Sequence, residues 1–345
     1  MDSRNNETIH KNRYMSNFLK LEPKERLLIF EQIRSKTGLV EAAIEKDWWV
    51  TQTLSIIFSI DCAPHLVFKG GTSLSKAWGL IQRFSEDIDL ALNRQLLGFE
   101  VVSNKTQVNK LRKKSFEYIS TVFYPELKQK FEVAGINGLN IILTEAKDPD
   151  QDPLIIEIYY PSVTKTSNYL NPRIVVEIGS HSLIDPFTNK LITSLVGESY
   201  SASDFADKAI SIPVVNPERT FLEKIFLLHE EFQKPHDKIR VDRLSRHLYD
   251  IEKMMDSEFA AIALANEKLY NNIVLHRSLF NGIGGTDYAN HIPAKINFLP
   301  PISVIKEWQK DYEIMQENMI YGESLSFENL LVRLESLQQV LNAKG

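Results

Sequence analysis

The chain holds a single cysteine, Cys62, among its 345 residues. One thiol excludes an intramolecular disulfide and any metal centre built from several cysteines. It fits a reducing compartment, and the expected location is cytoplasmic. Glycine and proline number 14 each, too few for collagen-like or proline-rich material. No apolar run approaches the roughly 18 residues of a membrane span. The best stretch, Leu54 to Phe58, soon meets Asp61, so no membrane is expected as a partner. The opening residues, Met1 to Glu7, lack the apolar core of a signal peptide. Neither sign of charge dominates: 40 Lys and Arg stand against 45 Asp and Glu, a formal net charge of −5. Any contact with nucleic acid must therefore come from a local basic patch. The eight histidines show no metal-ligand spacing.

What is present is the mix of a globular protein, 43% hydrophobic and 25% charged. The length suggests about two domains of ~150 residues. Pro23 opens a helical pattern that Gly38 can close, and a second runs over 39–60 with Trp48 and Trp49 as packing residues and Asp47 beside them as a candidate for the cleft lining. Short apolar or alternating runs predict strands at 65–68, 87–92, 139–143, 154–160, 173–179 and 210–215. Helical spacing recurs at 72–80, 103–132, 217–232, 240–256, 257–269, 301–318 and 326–342. The expectation is an α/β (α+β), bilobed protein: an N-terminal helical segment 1–60, a mixed-sheet core 61–210 and a C-terminal helical domain 211–345. Lys105, Lys110, Arg112, Lys113 and Lys114 form a basic helical stretch that reads as a solvated face, with a guide for RNA phosphates as the other reading.

The strongest chemical signal is one continuous unit. Lys69-Gly70-Gly71-Thr72-Ser73 precedes a helix, and Ser85-Glu86-Asp87-Ile88-Asp89 follows it. Side chains alternate across a strand, so Asp87 and Asp89 face one side. Two neighbouring carboxylates repel unless a cation lies between them, and magnesium prefers oxygen ligands together with phosphates. Gly70 and Gly71 let backbone N–H groups approach a phosphate, and the Thr72 and Ser73 hydroxyls add donors at a helix start. A tight turn before an exposed acidic strand is the plainer reading of either half alone. The two halves together favour a nucleotide site.

That combination resembles the nucleotidyltransferase signature of the DNA polymerase β superfamily. The phrases Arg83-Phe84-Ser85-Glu86-Asp87-Ile88-Asp89-Leu90, Thr220-Phe221-Leu222-Glu223-Lys224 and Arg246-His247-Leu248-Tyr249-Asp250 resemble the AbiEii family of nucleotidyltransferase toxins. Lys46-Asp47-Trp48-Trp49-Val50 and Met319-Ile320-Tyr321-Gly322-Glu323 resemble the ends of its longer subfamily, so the resemblance spans about 21–342. His247 departs from it, standing where many members carry an acid. The resemblance implies a polymerase β-like lobe with a mixed sheet plus a C-terminal helical lobe. It also implies a nucleoside triphosphate as substrate, Mg2+ held by Asp87, Asp89 and a third carboxylate, tRNA at its acceptor end as the acceptor, and a cognate antitoxin as partner. Roles in growth arrest or phage defence follow from the same likeness.

Two apolar strands offer the third carboxylate, Glu157 and Glu177. Alternation does not separate them; the resemblance points to Glu177. Lys224 lies at the edge of an apolar stripe formed by Phe221, Ile225, Leu228 and Phe232. Spacing alone favours a lysine whose stem packs on the core; the resemblance makes it a catalytic charge on the phosphates. Asp250 lies opposite Val241, Leu244, Leu248 and Ile251, on a face shared with Arg243 and Arg246. That face is either an exposed i,i+4 pair of little energy or a cleft wall, with the arginines binding nucleotide or RNA phosphates and Asp250 orienting Lys224 or the sugar. Lys69, Gly70, Gly71, Thr72, Ser73 and Ser85 complete the expected nucleotide-binding set. Transfer to a small molecule or a protein, and a non-catalytic GTP-binding module, are the competing readings.

Overall fold

The computed structural model describes residues 17–85, 87–146, 148, 151–165, 170–281 and 286–344. Glu86 and most of the polar start lie outside the described residues. Helix α1 (Pro23–Thr37) begins on its proline and ends at Gly38 in the left-handed region, φ 75°, as the sequence predicts. Helix α2 (Glu41–Ile57) follows. Strand β1 (Leu66–Lys69) runs directly into the short α3 (Gly70–Lys76), and β2 (Asp87–Leu92) returns. The lysine-rich region is α4 (Lys105–Tyr118) and α5 (Tyr124–Val133), joined by a π-helical turn. Val108, Leu111 and Ser115 of α4 are buried while Lys105, Lys110, Lys113 and Lys114 are exposed, the solvated face the sequence suggests.

Strands β3 (Asn140–Leu143), β4 (Leu154–Tyr159), β5 (Arg173–Gly179) and β6 (Phe187–Ile192) come next. After them stand α6 (Leu195–Ser199) and β7 (Ile210–Val215). The seven strands form one mixed sheet in the order β3-β4-β5-β2-β1-β7-β6. β6 is missing from the sequence expectation because most of this edge strand is exposed, so it carries no alternating burial signal. In the centre, Ile88, Leu90, Ile156, Ile158, Ile174, Val176 and Ile178 point into a core with Trp48, Trp49 and Phe131. The N-terminal helices share that core with the sheet. The intervening residues point to the opposite face, and these include Asp87, Asp89, Glu157 and Glu177.

The rest of the described chain is helical: α7 (Pro217–Phe232), α8 (Ser245–Met254), α9 (Glu258–Ala265), α10 (Glu267–Phe280), α11 (Ile305–Asn318) and α12 (Phe327–Asn342). The expected helix 257–269 divides at Asn266, whose side chain caps α10 by accepting from Leu269 N–H. α10 then runs eleven residues past the expected end, to Phe280. A second core joins Phe221, Ile225, Leu248, Ile251, Trp308 and Leu334 with Leu74 and Ile81, so α3 is anchored between the cores. The phrase Met319 to Gly322 pairs with the residues before β2: Phe84 N–H donates to the Met319 carbonyl (2.7 Å), and Tyr321 N–H to that of Gln82 (3.0 Å). Among the described residues, no helix is long and apolar enough to cross a membrane.

Candidate active site

A cleft of about 340 Å³ lies between the polar face of the sheet and the helices that follow it. Its sheet wall carries Asp87, Asp89 and Glu177. β2 and β5 are adjacent and parallel, with Asp89 beside Glu177 and Asp87 beside Val175. Glu157 stands one strand further out, beside Val175, and its carboxylate takes Arg173 and the Tyr159 hydroxyl (2.9 Å). Strand order thus separates two glutamates that alternation leaves equivalent. Burial, Asp89 and Asp87 push the Glu177 carboxyl up to about 6, the response expected of an acid forced beside like charges.

The turn from β1 into α3 shapes the floor. Gly70 has φ 80°, and a Cβ there would collide with the Asp89 carboxylate. A Cβ on Gly71 would meet Arg83 Nη2 at 2.8 Å and Ser85 Oγ at 2.9 Å. Both glycines therefore make room for the Asp89, Arg83 and Ser85 side chains as well as for backbone approach. Lys69, Gly70, Gly71 and Ser85 line the cleft; Thr72 and Ser73 do not. The Thr72 hydroxyl donates to the Asp87 carbonyl (2.5 Å) and lies 3.0 Å from Ser85 Oγ. Ser73 donates to the Gly70 carbonyl (2.8 Å). Both hydroxyls brace the turn instead of facing the cleft as the sequence suggested.

The helical wall carries Lys224 of α7 with Arg246 and His247 of α8. Asp250 is fully buried beneath them, so the exposed i,i+4 pair does not exist. Its carboxylate accepts Arg83 Nε and Nη2 (2.7 and 2.8 Å) and lies 2.8 Å from Lys224 Nζ. Burial alone would raise its pKa, but Arg83 and Lys224 hold it well below the usual carboxylate range. Burial lowers the Lys224 ammonium, against the pull of Asp250. His247 Nδ1 lies 3.4 Å from Lys224 Nζ; burial and the Lys224 charge press the imidazole well below its usual value. A neutral ring accepting at Nδ1 fits that placement.

Residues 56–342 match the family described as the nucleotidyl transferase AbiEii toxin of type IV toxin–antitoxin systems. The chain belongs to this family. No curated protein matches the chain significantly. Among solved structures, JHP933 from Helicobacter pylori is similar at 12% identity and a TM-score of 0.42, over 89% of this chain and 94% of that one. The MenT4 nucleotidyltransferase toxin from Mycobacterium tuberculosis H37Rv is similar at 16% identity and a TM-score of 0.40, over 92% and 99%. Both are too distant to transfer residue roles.

In this AbiEii toxin the cleft also holds residues that sequence reading missed. In the sequence Arg83 stands out only as the start of Arg83 to Leu90; in the fold its guanidinium ties the residues before β2 to α8. His276 and Arg277 of α10 line the cleft, but the expected helix stopped before them. Arg277 is held by Glu230 through Nε and Nη2 (2.7 and 2.5 Å). Arg243 and Asp47 fall elsewhere. Arg243 lies in a depression next to the cleft. Asp47 pairs with Lys76, accepts Leu195 N–H (2.8 Å), and lines a cavity that also includes Thr72.

Among the described residues, no three His, Cys, Asp or Glu side chains already form a metal cage. Magnesium does not require one, since it takes one or two carboxylates and completes its shell with water and phosphate. Hard oxygen donors on adjacent strands, with Glu177 reluctant to ionise beside Asp89, suit such a cation.

Proposed function

We propose that this toxin transfers a nucleotidyl group from a nucleoside triphosphate to a hydroxyl of RNA, with the acceptor end of tRNA as the leading candidate. The observation that carries this reading is the facing of two walls: Asp87, Asp89 and Glu177 on the sheet, Lys224 and Arg246 on the helices. Asp87 and Asp89, with Glu177, would hold Mg2+, which supplies Lewis-acid stabilisation of phosphate charge and a more acidic acceptor hydroxyl. The acceptor oxygen forms a bond to the α-phosphorus as the bond to the β-phosphate oxygen breaks. Pyrophosphate leaves with that electron pair, and the hydroxyl proton passes to solvent. Lys224, kept in place by Asp250, stabilises charge on the phosphates. Lys69 and Arg246 orient the triphosphate, and the Gly70-Gly71 backbone lets it approach. The site would work in the cytoplasm, under control of a cognate antitoxin.

The test is to incubate the protein with Mg2+, each α-labelled nucleoside triphosphate and total cellular RNA. Parallel reactions contain protein or small-molecule extracts. Label is expected in tRNA-sized RNA, with pyrophosphate released. Label only in protein or small molecules would overturn the RNA assignment, and triphosphate binding without pyrophosphate release would overturn transfer itself.

A further inference from the structure

Next to the cleft lies a depression of about 230 Å³ lined by Lys46, Arg173, Arg243 and Arg246, with Asp242 and Asp311. Arg246 lines both cavities, so the depression adjoins the cleft at that side chain. Its cations come from separate parts of the chain. Lys46 projects from α2 and donates to the Asn171 carbonyl (3.0 Å). Arg173 opens β5 and is ion-paired with Glu157, so a phosphate would share it with that carboxylate; alternation puts it on the same sheet face as Glu177, ~13 Å along the strand. Arg243 precedes α8.

Arg243 is the one non-glycine residue at positive φ (57°) among the described residues. A residue with a Cβ is strained there. The Asp311 carboxylate holds the turn by accepting the N–H groups of Arg243 (2.7 Å) and Ser245 (3.0 Å). A turn alone would be met by glycine without strain; arginine adds a guanidinium at the rim. Ile314, Met315 and Met319 also line the depression, of which only Ile314 is exposed.

We propose that this groove is the acceptor-strand subsite, in which Arg173 and Arg243 contact backbone phosphates of RNA whose terminal hydroxyl enters the cleft past Arg246. The inference rests on the RNA reading above and locates its acceptor. A strand delivering its end to Asp87 and Asp89 must continue out of the cleft, and the Arg246 side leads into the basic groove. The ~13 Å from Glu177 to Arg173 is the span of a few nucleotides.

Two variants test it, Arg243→Gly, which removes the guanidinium and suits the positive φ, and Arg173→Gln. Binding of fluorescent bulk tRNA is titrated over a salt series, and transfer kinetics are measured with RNA and triphosphate varied in turn. Each variant should make the slope of log affinity against log salt shallower by about 0.7 to 0.9. Each should raise KM for RNA while leaving KM for triphosphate and kcat at saturating RNA unchanged. Matched triphosphate affinity also shows that the fold is intact. Wild-type RNA affinity and salt slope in both variants, with wild-type protein labelling RNA, would overturn the groove alone. A parallel loss of triphosphate affinity would overturn it too, by assigning these cations to the nucleotide. Wild-type protein that neither binds nor labels RNA overturns the RNA reading and the groove with it.

Discussion

Asp250 holds two buried cations at once: its carboxylate lies 2.8 Å from the Lys224 ammonium and takes a two-pronged contact from Arg83. Lys224 comes from α7 and Arg83 from the segment before β2, so one anion fastens the acidic strand to the helical wall. Removing one partner of a buried ionic network leaves uncompensated charge, at a cost of about 3–5 kcal/mol. Asp250→Asn is therefore expected to lower stability on that scale and to reduce transfer. Urea unfolding with a parallel transfer assay checks both; near-normal stability would show that the cations find other partners.

Lys224→Met should separate charge from packing. The methionine keeps the stem, and Arg83 still neutralises Asp250, so the melting temperature should change little. Transfer should fall roughly a hundredfold or more, the scale of losing one electrostatic donor of about 3 kcal/mol. Lys224→Arg should also stay impaired, because a planar fork does not place its charge where an ammonium does. Near-normal turnover in the methionine variant would return Lys224 to a packing role.

The two glutamates should behave differently. Asp87→Asn, Asp89→Asn and Glu177→Gln are each expected to reduce transfer by orders of magnitude and to blunt thermal stabilisation by Mg2+ with triphosphate. Glu157→Gln, one strand out from β5, should keep transfer within a few-fold at saturating RNA. Equal loss in the Glu157 and Glu177 variants would contradict the assignment made by strand order.

Gly70→Ala places a Cβ where the Asp89 carboxylate now sits, at φ 80°. Transfer should be nearly abolished while the chain remains folded. Gly79 also has positive φ, 64°, but no neighbour within reach of a Cβ. Gly79→Ala should therefore cost only backbone strain, about 1 kcal/mol, and keep activity. Comparing turnover and melting temperature of the pair isolates the collision.

Acid should unfold the protein partly through His276. Burial, followed by the Arg94 charge, lowers its pKa to about 3, while an unfolded histidine titrates near ~6.5. Between those values the unfolded chain takes up a proton that the folded chain does not. This contribution to stability is therefore full above ~6.5 and is lost as pH falls towards about 3, by at most ~1.4 kcal/mol per pH unit. His276→Gln should flatten the loss, measured as urea midpoints at about pH 7 and about pH 5. An unchanged slope would remove His276 from the acid response.

Local patterns in the sequence determined much of this protein. Alternation over 87–92 and 173–179 matches β2 and β5, and Asn216-Pro217-Glu218 opens α7 where its proline starts. The Gly-Gly turn and the paired aspartates were legible for the same reason: each depends on residues a few positions apart. Tertiary structure decided what those patterns leave equivalent. Only the strand order puts Glu177, and not Glu157, next to Asp89. Only the packing of α7, α8 and the residues before β2 buries Asp250 between Arg83 and Lys224, partners 167 and 26 positions away in the chain. Helical periodicity reports which face is apolar, but not that a polar face is itself covered by another lobe. His276, Arg277 and Arg243 belong to that second class, because their meaning depends on charges brought near by folding rather than by sequence.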